Sequence, residues 1–139
     1  PLSSDLQRRV RDAMELTKDN KGLTVCVAFN YGGRAEIVEA VRRIVREGVP
    51  AGQIDETSFS GFLGTAALPD PDLVIRTAGE MRVSNFLLWQ AAYAEYYSTA
   101  AYWPDFDEAE VDRALEAYAQ RVRRFGGLNG HAPSNGVHP

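Results

Sequence analysis

The stretch from Ile75 to Glu95 reads "IRTAGEMRVSNFLLWQAAYAE", and its order of residue types decides the fold. Leu73 to Ile75 is a short β-forming run, and Arg76 ends it. A loop of small residues follows, carrying Gly79, Glu80 and Arg82. Ser84 then opens an apolar pattern, read as a helix from Asn85 to Ala94 with Ser84 or Asn85 as its cap. Strand, small-residue loop and helix in succession describe one unit of an α/β sheet. In open sheets of that kind, ligands sit at the carboxyl ends of the strands. Arg76 and Arg82 are placed there, although the chain has a formal net charge of -4. Two guanidinium forks can grip a diphosphate from different sides, and Ser84 adds a hydroxyl beside a helix start. Pairing of Glu80 with either arginine, in a purely structural loop, accounts for the same residues equally well.

The pattern repeats on both sides. Upstream, Leu23 to Phe29 ("LTVCVAF") is an unbroken apolar run, expected to be a strand buried on both faces. "NYGGR" turns it into a helix from Ala35 to Glu47, with Ile37, Ala40, Val41, Ile44 and Val45 as its buried stripe. Glycines and Arg34 in that turn could face an anion. A tight turn with Arg34 in a structural ion pair explains it as well, and weighs more. Before the run, a helix capped by Ser4 or Asp5 reaches about Lys18. After α-helical residues 35–47, Asp55 caps a short helix to Leu63, and "AALPDPD" is a rigid connector. Downstream, Tyr96 to Ser98 is a short strand. "DEAE" at Asp107–Glu110 has capping-box spacing and opens a helix to about Arg124, closed by Phe125-Gly126-Gly127. Residues 128–139 read as a flexible tail. The order α-β-α-α-β-α-β-α implies a parallel sheet flanked by helices on both faces. Two or three strands are few for such a sheet, so residues 1–127 look like the second half of a larger α/β domain.

Bulk properties restrict function. The 139 residues suit one domain, with 45% hydrophobic and 24% charged residues. Net acidity disfavours a broad nucleic-acid surface but permits a local anion site. The one cysteine, Cys26, excludes a disulfide framework within the chain and reads as a small buried hydrophobe. No apolar run approaches about eighteen residues, so no transmembrane segment is expected, and the N-terminus is no signal peptide. Cytoplasmic placement is the default. Glu95, alone at a helix end, is ordinarily surface, although a carboxylate near a diphosphate could serve Mg²⁺. His131 and His138 lack the partners a metal site needs.

Taken together, "FNYGGR" at Phe29–Arg34, "LPDPDLVIRTAGEMRVSNFLLWQAAYAE", "WPDFDE" and "RRFGG" resemble the cis-prenyltransferases, the family of undecaprenyl and related Z-polyprenyl diphosphate synthases. The resemblance covers nearly the whole chain. It implies condensation of isopentenyl diphosphate with an allylic diphosphate. It places the isopentenyl diphosphate on Arg76, Arg82, Ser84 and the Val83 backbone, and makes Glu95 a Mg²⁺ ligand. Arg34 matches a family arginine whose role stays open. Ala78 stands where glycine is commoner, which matters only if that backbone needs positive φ. The resemblance also implies a homodimer, a membrane-seeking product made by a cytoplasmic protein that can lie peripherally at the membrane, and a catalytic aspartate in an N-terminal part absent here. The chain alone is therefore expected to be inactive and to contain no catalytic residue of its own. The competing reading is a non-catalytic subunit of a heteromeric synthase.

Overall fold

A computed structural model describes residues 2–122. The helix expected to reach about Arg124 already ends at Ala119, and the Phe125-Gly126-Gly127 stop and the 128–139 tail lie outside the described residues. Among the described residues, four helices and two strands run in the order α1 (Ser4–Thr17), α2 (Gly33–Arg46), α3 (Glu56–Ser60), β1 (Leu73–Arg76), β2 (Glu95–Ser98) and α4 (Glu108–Ala119). Short 3₁₀ turns occupy Ala51–Gln53 and Trp103–Asp105.

The α/β class holds. β1 and β2 are parallel, with Leu73 opposite Glu95 and Arg76 opposite Ser98. Parallel strands need a crossover, and residues 77–94 provide it. α4 packs against β2. Two of the caps expected from sequence are present. The Asp55 side chain accepts from Ser58 N, and Asp107 from Glu110 N at 3.0 Å. Ser3, rather than Ser4 or Asp5, caps α1. α4 stops at Ala119, where the chain turns through Gln120.

The core gathers where α2 meets α3 and the crossover. Ala40 and Ile44, one turn apart on α2, pack with Phe59 and Leu63, and Ile37, Phe62 and Trp89 close around them. The rings of Phe59 and Trp89 are 4.5 Å apart. Each large apolar side chain buried here contributes about 1.5–3 kcal/mol. Arg43 lays its guanidinium 5.5 Å over the Phe62 ring and donates to the Phe62 carbonyl.

Two expected elements do not form. Leu23 to Phe29 is irregular, with no ladder partner among the described residues, and Leu23, Val25, Val27 and Phe29 are exposed. Cys26 is exposed too, not buried. A strand buried on both faces needs a hydrogen-bonded neighbour, and β1 and β2 pair only with each other. The stretch 85–94 is a chain of turns rather than a helix. Ser84, Asn85 and Leu87 have φ of 50°, 62° and 44°, which an α-helix cannot absorb. Tertiary contacts hold this course. Trp89 Nε1 donates to Ser60 Oγ at 3.0 Å, and Gln90, only 4% exposed, is held between α2 and the loop after α3.

Candidate functional site: an arginine loop at the end of β1

Arg76 is the last residue of β1, so its guanidinium starts from a fixed backbone. The loop after it is tied to the far end of β2. Ala78 N donates to Ala101 O and Gly79 N to Thr99 O, both at 2.8 Å. Ser98 Oγ donates to Glu80 O at 3.0 Å. These bonds turn the chain back within four residues, and the turn requires positive φ at Ala78 (58°) and Gly79 (67°). Gly79 adopts that freely, whereas Ala78 is strained by its Cβ. The condition attached to the alanine is therefore met.

The two arginines converge on one carboxylate. Glu80 Oε2 lies 2.5 Å from Arg82 Nε and 3.8 Å from Arg76 Nη2, and Arg82 Nη2 donates to Glu80 Oε1 at 2.5 Å. Arg76 is half-buried, and Arg82 is 70% exposed. Glu80 thus marks a point that both guanidinia reach together. An incoming anion with paired oxygens can replace it there. Val83 and Ser84 follow directly and are exposed.

The crossover joins this loop to the start of α2. Asn85 O accepts from Gly33 N at 2.8 Å, and Asn85 Oδ1 accepts from Arg34 N at 2.9 Å. Two N–H groups of the α2 terminus are occupied in this way, which agrees with the tight-turn reading of "NYGGR" over an anion site. Gly33 lies so close to the crossover that a Cβ there would meet Leu88 Cγ at 2.9 Å.

Behind the loop is a polar knot. Tyr31 donates to Glu36 Oε2 at 2.5 Å, Gln90 Nε2 donates to the same oxygen at 3.1 Å and to Thr65 Oγ1 at 2.8 Å, and Gly64 N donates to Glu36 Oε1. Burial, then the Glu36 carboxylate, push the Tyr31 hydroxyl up to about 12. The knot walls one side of an apolar cavity of about 260 Å³, to which Cys26, Leu68 and Phe86 also contribute. Spacing could not reveal this. Glu36 and Gln90 lie in two separate stretches read as helices, and only the fold brings them together from 54 residues apart.

Glu95 is elsewhere. It opens β2 opposite Leu73, three positions before the level of Arg76, about 10 Å back along the strand. An odd offset also puts the two side chains on opposite faces. Glu95 Oε2 accepts from Arg121 Nη1 at 2.7 Å. No cluster of three metal-ligating side chains occurs among the described residues. One carboxylate already in an ion pair does not fit a Mg²⁺ site supplied by this chain. The structure brings together Arg76, Arg82 and the Val83–Ser84 segment, and leaves Glu95 apart.

A family model described as "Putative undecaprenyl diphosphate synthase" matches residues 1–126. An isoprenyl transferase of Fusobacterium nucleatum is 57% identical over 123 residues, covering 88% of this chain and 52% of the relative. A ditrans,polycis-undecaprenyl-diphosphate synthase ((2E,6E)-farnesyl-diphosphate specific) of Legionella pneumophila is 49% identical, covering 93% and 56%. Among solved structures, lavandulyl diphosphate synthase from Lavandula x intermedia, in complex with dimethylallyl diphosphate, superposes with a TM-score of 0.83 at 43% identity, covering 90% of this chain and 56% of that one. The chain spans about half the length of the curated relatives it matches.

Proposed function

We propose, because the chain belongs to the undecaprenyl diphosphate synthase family, that the loop after β1 holds the diphosphate of isopentenyl diphosphate while an allylic diphosphate is condensed with it to a Z-polyprenyl diphosphate. The observation that carries this is the meeting of Arg76 and Arg82 on one carboxylate. Two guanidinia that reach one anion from a strand end and a loop can take paired phosphate oxygens in its place. Ser84 adds a hydroxyl and Val83 a main-chain group. The crossover that carries Ser84 also lines an apolar cavity through Phe86, Leu87 and Gln90.

In the condensation, the allylic C–O bond breaks and diphosphate leaves. The alkene of isopentenyl diphosphate forms the new C–C bond, and a proton is lost. The residues described here contribute positioning, which can supply several kcal/mol of a barrier, on the order of 7–11 in well-oriented cases. Departure of the allylic diphosphate needs groups aimed at its oxygens, and in our reading these come from outside this chain. No step is assigned to Mg²⁺, since Glu95 is committed to Arg121. Turnover is accordingly not expected from these residues alone. A homodimer is part of the same proposal, and the exposed Tyr93, Tyr102 and Trp103 are its candidate contact, because aromatics favour interface cores.

Calorimetric titration with isopentenyl diphosphate tests the site. Arg76→Ala and Arg82→Ala should each weaken binding about tenfold or more, the effect of one charged hydrogen-bonding group. An equal response to inorganic phosphate would instead mark a general anion site.

A further inference from the structure

Among the described residues, the non-glycine positions with positive φ are Asn30, Ala78, Ser84, Asn85 and Leu87. All five lie in the turn before α2 or in the crossover between β1 and β2. Such strain persists only where surrounding bonds over-determine it. Asn85 makes two of the bonds that tie the crossover to the start of α2. Its main-chain oxygen takes Gly33 N, and its side-chain oxygen takes Arg34 N across a sequence separation of 51 residues. Its amide nitrogen also fills the space where Gly32 would carry a Cβ, 2.9 Å away. Asparagine suits this place on two counts, since it tolerates positive φ and offers a short acceptor.

We infer that Asn85 is a positioning residue for diphosphate binding, clamping the Arg82–Ser84 loop to the first turn of α2 so that Ser84 keeps the φ of 50° it has here. The inference rests on the proposed role of Arg76 and Arg82. Asn85 need not touch the ligand. It fixes the residue that follows Ser84, and through it the separation between the arginine loop and Arg34. Without the side-chain acceptor, Arg34 N would turn to water and the loop would sample other courses.

The test is titration of the full chain with isopentenyl diphosphate, followed by calorimetry and by the amide resonance of Arg34. Asn85→Gly keeps positive φ and the main-chain bond but removes the acceptor. It should bind about five- to tenfold more weakly, the size of one lost hydrogen bond. Its melting temperature should stay near that of the wild type, and the ligand-induced shift at Arg34 should shrink. Asn85→Asp restores the acceptor. At high salt, which screens its added charge, it should recover the wild-type affinity. Wild-type affinity in Asn85→Gly overturns the inference, as does Asn85→Asp binding no better than Asn85→Gly at high salt. If Asn85→Gly fails to fold, the aspartate variant alone decides. Wild-type chain that ignores the ligand, or Arg82→Ala that binds it undiminished, refutes the site itself and is distinguishable from either result.

Discussion

Replacing Glu80 with glutamine should tighten isopentenyl diphosphate binding. Glu80 contacts both guanidinia, at 2.5 Å from Arg82 and 3.8 Å from Arg76. A diphosphate that takes both arginines must displace it. A unit charge pair near 4 Å is worth about 1 kcal/mol in water and about 4 at an effective dielectric of 20. Arg82 is 70% exposed and Glu80 31%, so solvent screening governs, and exposed pairs measure about 0.2–1 kcal/mol. Two such contacts give about 1 kcal/mol to be broken on binding. Removal of the charge should therefore lower Kd about fivefold. Calorimetry at low ionic strength reads the change, and added salt should shrink it. Weaker binding by Glu80→Gln would refute the reasoning, for it would show that the carboxylate organises the arginines rather than competing for them.

Two further outcomes follow from the local geometry. Ala78→Gly should stabilise the fold by about 0.5–1 kcal/mol, because a left-handed backbone costs an L-residue roughly 1–2 kcal/mol and glycine returns part of that as chain entropy; a lower urea midpoint would contradict it. The raised Tyr31 hydroxyl means that the folded state favours the neutral phenol, so the stabilisation is complete below about pH 10 and is lost as pH climbs through about 12. Urea unfolding between those limits should show a steeper loss in wild type than in Tyr31→Phe, and parallel curves would count against the burial of Tyr31 beside Glu36.

Much of the fold is legible in the residue order because local chemistry sets it. Asp55 and Asp107 announce helix starts, and the β-branched run into Arg76 announces β1. Ala40 and Ile44 reveal the buried side of α2, whereas Val41 and Val45, read into the same stripe, are exposed. The failures share a cause. Leu23 to Phe29 reads as a strand from composition, but a strand is a pairing, and no neighbour is present among the described residues. The stretch 85–94 has helical spacing, yet the bonds of Asn85 to α2 and of Trp89 to Ser60 outweigh propensity. The arginine loop is legible as a charge pattern. The partner of Glu80 is open from sequence, since Arg76 or Arg82 could claim it, and the structure brings it to both. Glu95 follows a presumed helix in the sequence but opens a strand in the fold, and register places it away from the arginines.

The central claim is that Arg76 and Arg82 together seat a diphosphate. A crystal structure of the chain with isopentenyl diphosphate tests it directly. Phosphate oxygens should lie within about 3 Å of both guanidinium groups, the distance of charge-assisted hydrogen bonds, with Glu80 swung clear. Ligand bound at another surface while Glu80 still bridges the two arginines would contradict the account.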